Sequence, residues 1–292
     1  MIVSCGEALV DVFEGGLAVP GGGPMNAAIT AARLGVPTAF LGRVSTDAHG
    51  DEIWAHMSAS NVDLRVAERG DEPTARAVVT TTPVQSFRFE GTDTADTMLE
   101  SADLTALGAG PHTVHGGTLG IFRGRSADAY LGLLRASDGL ISFDPNIRPQ
   151  IIDDVDHWWR YANRWLDRAD IIRGSDEDFD WMGLSIAELL QRGPAVVLRT
   201  VGAAGVEAFF ADGSSVQVPG ATIEFVDAVG AGDSFCGAVL TQLEQRGVTT
   251  RPLLDELDHR AWIDILSFAV NVAGITCSRS GANPPWANEL GE

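Results

Sequence analysis

Lysine is missing from this chain altogether. All 20 basic residues of its 292 are arginine. A phosphate-binding loop of the form GxxxxGK[ST] is therefore excluded, as are lysine Schiff bases with pyridoxal phosphate or a keto sugar. Any side chain that neutralises a phosphate must be an arginine, with backbone N–H groups and metal ions as the remaining partners.

Positive charge is also scarce relative to negative charge. The chain has 40 acidic residues against 20 basic ones, a formal net charge of −20. Nucleic acids and anionic membranes both reward a basic face, so we expect neither as a partner. A nucleotide is not excluded, because exposed charges are screened beyond about 8 Å at physiological salt, whereas a helix terminus acts at hydrogen-bond range.

Cysteines and long apolar runs are few. The three cysteines, Cys5, Cys236 and Cys277, are widely separated and have apolar neighbours, which favours reduced buried thiols over a disulfide framework. The N-terminal apolar run lacks a basic leader and soon meets Glu7 and Asp11, so we interpret it as neither a signal peptide nor a transmembrane helix. No other apolar stretch looks long enough to span a bilayer. We therefore expect a cytoplasmic protein.

Strand-like apolar runs alternate with helical patterns along most of the chain. This alternation predicts an α/β fold with a mostly parallel central sheet and helices on both faces, as one domain over residues 1–292. Active sites in such sheets lie beyond the carboxyl ends of the strands. The predicted strands are Ile2–Cys5, Thr38–Val44, Thr113–Gly116, Leu140–Asp144, Asp170–Arg173, Ala195–Arg199 and Val206–Phe210. The predicted helices are Pro24–Leu34, Ala48–Ala59, Ser126–Ala136, Asp156–Asp167, Ser185–Gln191 and Ala261–Thr276.

Two segments, at about 12–22 and 75–92, break this alternation. Each reads as successive β-strands without an intervening helix, which predicts a small β-sheet lid that projects from the main body. An antiparallel edge of the main sheet is the alternative interpretation. The lid is also a candidate surface for a homodimer, because Val78 and Val79 point to opposite faces of the predicted strand and one of them would cover a partner's lid. An ordinary buried edge explains the two valines equally well.

The most informative chemistry lies in the glycine-rich stretch Gly230–Gly232, which is followed by Asp233. Phe235, Val239 and Leu243 then recur at helical spacing, so this stretch presents free N–H groups at a helix N-terminus. Such an end binds phosphate, and a carboxylate beside it can take a proton from an attacking hydroxyl. The same helix end should stabilise the ionised form of Asp233, which predicts a mild base. A tight turn with Asp233 as an N-cap is the alternative.

A second glycine-rich segment lies near the start of the chain. Gly22 and Gly23 come directly before a predicted helix that carries Asn26 in its first turn. Glycines let a ligand approach the backbone, and the asparagine amide can donate to and accept from a hydroxyl. A capped helix start explains the same residues. Asp11, which follows an apolar strand, is open to interpretation as a solvated turn residue.

Taken together, these pieces resemble the ribokinase-like carbohydrate kinase family, also called the PfkB family, across nearly the whole chain. The DAVGAGDSF element is highly specific, and it lies at the expected distance from the N-terminal glycines. The DPNIRP segment and the SRSGANPP tail look most like those of fructokinases and 2-keto-3-deoxygluconate kinases. The matching elements are Asp11, Gly21–Asn26, Thr46–Gly50, Asp144–Pro149, Thr200–Gly205 and Asp227–Phe235, with the tail at Ser278–Pro285.

The resemblance implies transfer of the γ-phosphoryl group of ATP to a sugar hydroxyl. Asp233 would be the base. The N–H groups that follow Gly230, those of Ala231, Gly232 and Asp233, would form the anion hole. The sugar would be bound by Asp11, Gly22, Gly23 and Asn26, and the nucleotide by Thr200, Gly202, Gly205, Asn271 and Gly281.

The resemblance also implies Mg²⁺ and a monovalent cation such as K⁺. Asp178 would order water around the magnesium, although Ser175–Asp178 departs from the asparagine, two residues and glutamate that many relatives carry. Asp227 and the backbone of Val229, with the turn at Ser278–Gly281, would hold the monovalent cation.

Two kinase substrates and one non-enzymatic role stay open. A sugar acid such as 2-keto-3-deoxygluconate needs a cation at its carboxylate, and the candidates are Arg88, Arg148, Arg123 and Arg125. If Arg88 or Arg148 points at the sugar end of the cleft, the sugar acid is the favoured substrate. If both arginines face phosphate or solvent, fructose is the favoured substrate. We expect fructose. A sugar- or nucleotide-binding sensor that keeps the kinase fold without turnover is the alternative from another class.

Overall fold

The computed structural model describes residues 1–13, 16–80 and 86–291. The strands are β1 (Ile2–Cys5), β2 (Leu9–Phe13), β3 (Ala18–Gly21), β4 (Thr38–Leu41), β5 (Arg43–Ser45), β6 (Glu68–Gly70), β7 (Arg76–Thr80), β8 (Ser86–Glu90), β9 (Thr113–Gly117), β10 (Ile141–Asp144), β11 (Ile171–Ser175), β12 (Val196–Thr200), β13 (Val206–Phe210) and β14 (Ser215–Val218). The α-helices are α1 (Gly23–Arg33), α2 (Ala48–Ala59), α3 (Gly124–Ala136), α4 (Val155–Leu166), α5 (Asp176–Met182), α6 (Ile186–Leu190), α7 (Ala231–Gln245), α8 (Arg251–Asp255) and α9 (His259–Cys277).

The main sheet has the strand order β14-β13-β12-β11-β10-β9-β1-β4. The strands from β12 to β4 pair in parallel, and β13 and β14 add an antiparallel edge. Successive side chains of a strand point to opposite faces. Ile171 and Ile172 accordingly belong to two different buried clusters, one with the tryptophans of α4 and the other with Trp262 of α9. The predicted mostly parallel sheet with helices on both faces is confirmed.

The order of the strands places a crevice beside β1. The chain leaves β1 for β4 on one side of it, and β9 to β12 are later added in succession on the other side. The loops that follow β1 and β9 therefore diverge at the carboxyl end of the sheet, which is where ligands bind in open α/β folds.

A separate small sheet has the order β3-β2-β7-β8. It confirms the predicted extra sheet, and the alternative of an edge on the main sheet is wrong. Its first strand starts at Leu9, earlier than the predicted boundary near residue 12. Residues 14–15 and 81–85 of the predicted lid lie outside the described residues.

Some short elements differ from the sequence prediction. The strand predicted over Thr38–Val44 is divided at Gly42, and its second part, β5, pairs with β6 instead of the main sheet. The prediction also missed α5, α8 and β14. These elements have four to seven residues, too few for a hydrophobic period to stand out.

Helix α9 is, among the described residues, the one helix long and apolar enough to cross a membrane by length and composition. It has 19 residues, more than any apolar stretch that the sequence analysis singled out. Trp262, Ile265 and Leu266 on this helix are buried in a cluster that also holds Phe235 of α7. The core helix of a globular domain passes the same test.

Candidate active site

A cavity of about 640 Å³ lies at the carboxyl ends of the parallel strands, and both glycine-rich segments line it. Gly22 and Gly23 reach it from the start of α1, while Gly230, Gly232 and Asp233 reach it from the start of α7. Helices α1 and α7 pack against each other, and this packing brings their N-termini to one place.

Asp233 is held between two asparagine amides. Asn26 Nδ2 donates to Asp233 Oδ2 at 2.9 Å, and Asn146 Nδ2 donates to Oδ1 at 3.4 Å. The first contact joins residues 207 positions apart in the sequence. The structure therefore places the carboxylate of the GAGD segment beside the N-terminal glycines.

The environment of Asp233 differs from the one expected from the sequence. Burial raises the pKa of Asp233 to about 6; the hydrogen bond from Asn26 lowers it and the negative charge of Asp144 raises it. The expectation that the helix end stabilises the ionised form is wrong, because removal from water has the larger effect on this pKa. Asp233 is consequently a stronger base than predicted, and it is still ionised at neutral pH.

The N-terminus of α7 presents two free amides. Gly230 adopts a left-handed conformation with φ 75° ahead of the first turn. The N–H groups of Gly232 and Asp233 have no acceptor within the described ranges, whereas that of Ala231 donates to the Ala228 carbonyl at 3.2 Å. Of the three amides predicted for the anion hole, Ala231 is therefore already occupied, and two remain for a ligand.

Arg173 adds a cation beside these amides. Its side chain is buried, with Nη1 donating to Asp144 Oδ2 at 2.8 Å and Nη2 donating to Thr200 Oγ1 at 2.6 Å. A Cβ atom on Gly232 would lie 2.8 Å from Nη1, so the guanidinium is directly adjacent to the helix start. Burial lowers the pKa of Arg173, but the charge of Asp144 and its other acidic neighbours outweighs this and raises it overall. The group stays cationic.

The opposite end of the cavity carries Asp11 and Arg148. Burial raises the pKa of Asp11 to about 6; the charge of Asp233 raises it and the charge of Arg148 lowers it. Arg148 also lowers the pKa of Asp233, so its positive charge faces both carboxylates. The small sheet contributes Ala77 and Phe89 to the lining.

The other predicted cations point elsewhere. Arg88 on β8 has a side chain that is 72% exposed, and it pairs with Glu90 at 2.7 Å. Arg123 pairs with the buried carboxylate of Asp96, and Arg125 pairs with Glu100. Within the described residues, Arg148 is thus the one member of the predicted set that lines the cavity. The position of Arg88 does not match a sugar contact.

The predicted nucleotide residues are divided between the cavity and its surroundings. Thr200 and Gly202 line it at the end of β12, but Gly205, Asn271 and Gly281 are not among the described residues that do so. Asn271 is exposed on α9. A nucleotide bound at Thr200 would have to extend out of the cavity to reach it.

The two predicted metal-site aspartates are held by hydrogen bonds. Asp178 is buried, and its carboxylate accepts from the N–H groups of Ser175 at 2.8 Å and Ile147 at 2.6 Å. Asp227 accepts from the N–H groups of Val229 at 3.0 Å and Gly281 at 2.9 Å. Within the described residues, no group of three His, Cys, Asp or Glu side chains is arranged to hold a metal ion directly. The two metal roles stay predictions.

Sequence reasoning assigned no role to several cavity residues, among them Asn146 and Thr118. Asn146 Nδ2 donates to Thr118 Oγ1 at 3.1 Å, and the two residues have positive φ angles of 39° and 52°. A left-handed backbone conformation costs a non-glycine residue on the order of 1–3 kcal/mol, and residues in this conformation are concentrated at functional sites. Both residues come just after a parallel strand, β10 and β9, and this position is the sequence feature that would have indicated them.

The family model of the pfkB family carbohydrate kinases matches residues 15–289 of this chain. A fructokinase of Rhizobium leguminosarum bv. trifolii is 34% identical over 278 residues, which cover 89% of this chain and 85% of the relative. The range that the family model matches includes every cavity residue from Gly22 onward.

Two solved structures have the same fold. A fructokinase with bound ATP from Xylella fastidiosa superposes with a TM-score of 0.89 at 25% identity, over 99% of this chain and 96% of that one. A fructokinase double mutant from Vibrio cholerae O395, in its fructose, ADP and potassium ion bound form, superposes with a TM-score of 0.81 at 25% identity, over 96% and 93%. The resemblance predicted from the sequence is confirmed: this chain belongs to the pfkB family of carbohydrate kinases.

Proposed function

We propose that this protein is an ATP-dependent fructokinase, which transfers the γ-phosphoryl group of ATP to a hydroxyl of fructose. One observation carries the proposal. The carboxylate of Asp233 lies between the free amides at the start of α7 and the Gly23 and Asn26 end of α1. A sugar hydroxyl at α1 and a phosphate at α7 would therefore both be in reach of one base. The similarity to fructokinases supports the same conclusion.

Asp233 would take the proton of the attacking hydroxyl. Because burial raises its pKa to about 6, the carboxylate is ionised at neutral pH and is a better proton acceptor than an exposed aspartate. Asn26 and Asn146 each donate to one carboxylate oxygen, which fixes the orientation of the group. Alignment is most of what phosphoryl transfer requires of the protein.

The start of α7 would stabilise the charge on the transferring group. The N–H groups of Gly232 and Asp233 are oriented in advance, and the helix dipole adds to their effect. The Arg173 guanidinium beside Gly232 supplies a full positive charge. The chain needs no lysine for this task, since backbone donors and one arginine replace it.

The charges at the sugar end favour a neutral substrate. By the criterion stated above, Arg148 at this end would favour a sugar acid. Its charge, however, already faces the carboxylates of Asp11 and Asp233. A substrate carboxylate would add a further negative charge among these groups. Fructose avoids this repulsion, and 2-keto-3-deoxygluconate is the second candidate because Arg148 is in place.

Oxygen ligands at the nucleotide end fit a magnesium ion. Asp176, Glu177 and Asp178 line the cavity there, and carboxylates with water are the ligands that Mg²⁺ prefers. Bound with ATP, the ion would offset phosphate charge. The potassium ion in the Vibrio cholerae structure supports a monovalent cation near Asp227 in this chain as well.

The four-stranded sheet would act as a lid over the sugar. Leu9, Asp11, Ala77 and Phe89 of this sheet line the cavity, so its closure would keep water from the transferring phosphoryl group. Residues 1–292 would then form one kinase domain with a β lid. Pairing of two copies through the lid belongs to the proposal, as does the cytoplasmic location, where ATP is available.

A substrate panel tests the proposed function. Purified protein is assayed for ADP release with fructose, 2-keto-3-deoxygluconate, ribose and adenosine, and Asp233→Asn serves as the control for contaminating kinases. The expected result is the highest kcat/KM with fructose. Higher kcat/KM with 2-keto-3-deoxygluconate would transfer the assignment to the acid. Sugar binding by calorimetry without ADP release from any sugar would indicate a sensor and contradict the kinase assignment.

A further inference from the structure

Glu7 lies at the point where the loops after β1 and β9 diverge. Its side chain has no solvent exposure. Its Oε1 accepts from the N–H of Gly23 at 3.3 Å, and its Oε2 accepts from the N–H of Gly120 at 2.9 Å. Gly23 starts α1, whereas Gly120 belongs to the loop after β9. One carboxyl group therefore joins two walls of the sugar end of the cavity.

The backbones around Glu7 are packed closely. A Cβ atom on Gly22 would lie 2.7 Å from the Glu7 carbonyl oxygen, and one on Gly120 would lie 2.7 Å from the Gly6 Cα atom. Contacts this short leave no room for other side chains between the two walls. The separation of the walls at this point is thus set by backbone contact and by the two hydrogen bonds of Glu7.

The environment of this carboxyl group is unfavourable for charge. Burial raises the pKa of Glu7 to about 8; its backbone hydrogen bonds lower it, and the charges of Asp96 and Asp233 raise it. Two backbone N–H groups nevertheless donate to this carboxyl group and hold it in place, and its removal would leave both donors unpaired. The geometry also connects Glu7 to the sugar end of the cavity.

We propose that Glu7 is a positioning residue for the sugar, which holds the start of α1 and the loop after β9 at the spacing that fructose requires. This inference rests on the proposed function. Glu7 acts through its neighbours: Gly120 follows Thr118 by two residues, Thr118 accepts from Asn146, and Asn146 donates to Asp233. Gly23 is on the other side, where a Cβ atom would be 3.2 Å from Asp233 Oδ1.

The nucleotide end is held by different contacts. Thr200 is fixed by Arg173, and the start of α5 is closed by Asp178. Loss of the Glu7 bridge should therefore affect the sugar and leave ATP binding nearly unchanged.

Glu7→Gln tests the proposal, because its amide –NH₂ would face one of the two N–H donors. We expect the KM for fructose to rise about tenfold or more while the KM for ATP stays within about twofold. Glu7→Asp, whose shorter side chain reaches only one amide, should show the same split and is the second variant if the glutamine protein is insoluble.

Asp170→Asn is the matched control. Asp170 is also a buried carboxylate that accepts from a backbone N–H, that of Ile141 at 2.8 Å, but it lies at the amino end of β11, away from the cavity. The Asp170→Asn substitution should lower the melting temperature of the protein without changing its KM for fructose. A fructose KM within about twofold of wild type in a folded Glu7 variant would overturn the proposal, as would equal increases in both KM values.

Hydrogen exchange gives a readout that needs no turnover. Peptides that cover residues 21–26 and 117–122 should exchange faster in Glu7→Gln than in wild type and remain unchanged in Asp170→Asn. Unchanged exchange would also refute the bridge. A wild-type protein that phosphorylates no sugar would instead refute the proposed function, so the two failures are distinguishable.

Discussion

The N-termini of α1 and α7 look alike in the sequence and differ in what occupies them. Each helix follows a glycine in an unusual conformation, Gly22 with φ 117° and Gly230 with φ 75°. At α1, the N–H of Gly23 donates to the carboxyl group of Glu7. At α7, the N–H groups of Gly232 and Asp233 have no acceptor in the part of the chain that the structure describes.

This difference assigns the two helix starts to different parts of a substrate. An anion at α1 would find the Gly23 N–H already donating to Glu7, whereas a neutral hydroxyl can approach the backbone there without needing that amide. A phosphate at α7 finds free donors and the nearby Arg173. A glycine-rich helix start therefore predicts close approach of a ligand, and the neighbouring side chains decide whether that ligand carries negative charge.

The strongest test of this comparison is Asp233→Asn at the open helix start. An amide cannot accept the proton, so kcat should fall by about 10² to 10⁴ while the KM for fructose stays within a few fold. Steady-state kinetics measure both values. Asp258→Asn, which keeps an acceptor at the start of α9, is the control and should have wild-type activity. Wild-type turnover in Asp233→Asn would remove Asp233 from the mechanism.

Filling the open helix start should have the next largest effect. Gly232→Val would place a Cβ atom about 2.8 Å from the Arg173 guanidinium and obstruct the free amides. Since loss of one preorganised donor costs about 10² to 10³ in rate, we expect a fall in kcat of about 10²-fold. Gly132→Val, at an exposed position of helix α3 with nothing near its Cβ position, should leave kcat unchanged. Equal activity of the two variants would argue against phosphate binding at α7.

The fall of kcat at acidic pH should follow the ionisation of Asp233 at the start of α7. Asp233 must be ionised to accept a proton. Because its pKa is raised to about 6, the ionised fraction falls as the pH drops through that value. The kcat should be half-maximal near pH 6, decline toward tenfold per pH unit well below it and become level about one pH unit above it. Asp11 also has a raised pKa, so the profile is repeated with Asp11→Asn. A limb that disappears in this variant would belong to Asp11 instead.

The smallest effect concerns a third helix start, that of α5. Asp178 occupies the third position of α5, as Asp233 does in α7. Its carboxylate, however, accepts from the N–H of Ser175 and so caps the N-terminus of its own helix. Asp178→Asn would leave one buried N–H unpaired, which should lower the free energy of unfolding by about 1–3 kcal/mol in urea titrations. Glu188→Gln alters the same capping arrangement at the exposed start of α6 and should cost about 0.5 kcal/mol or less. Equal losses would show that burial is not what makes Asp178 important.

Much of the fold was predictable because hydrophobic periods are local. The strands at Ile2–Cys5 and Val206–Phe210 and the helix at Ala48–Ala59 have the predicted bounds. Short elements such as α8 and β14 gave too few residues for a period, and their place is set by packing.

The site was predictable only where its chemistry is contiguous. GAGD and the N-terminal glycines were recognisable as segments, and the structure brings them to one cavity. The sequence reasoning nevertheless missed Glu7, Asn146 and the position of Arg173, and it misjudged the pKa of Asp233. Each of these depends on atoms supplied by another part of the chain.

Residue order alone was enough to establish the family, the layered α/β architecture and the two glycine-rich ligand segments, since these depend on side-chain periods and on contiguous motifs. The tertiary structure decided which backbone amides at the N-termini of α1 and α7 are free to bind a ligand. Whether a backbone amide is free, and how much water surrounds a carboxylate, are properties of three-dimensional neighbours. Glu7 is 16 residues from the amide of Gly23 and 113 from that of Gly120, and only the packed sheet brings all three together.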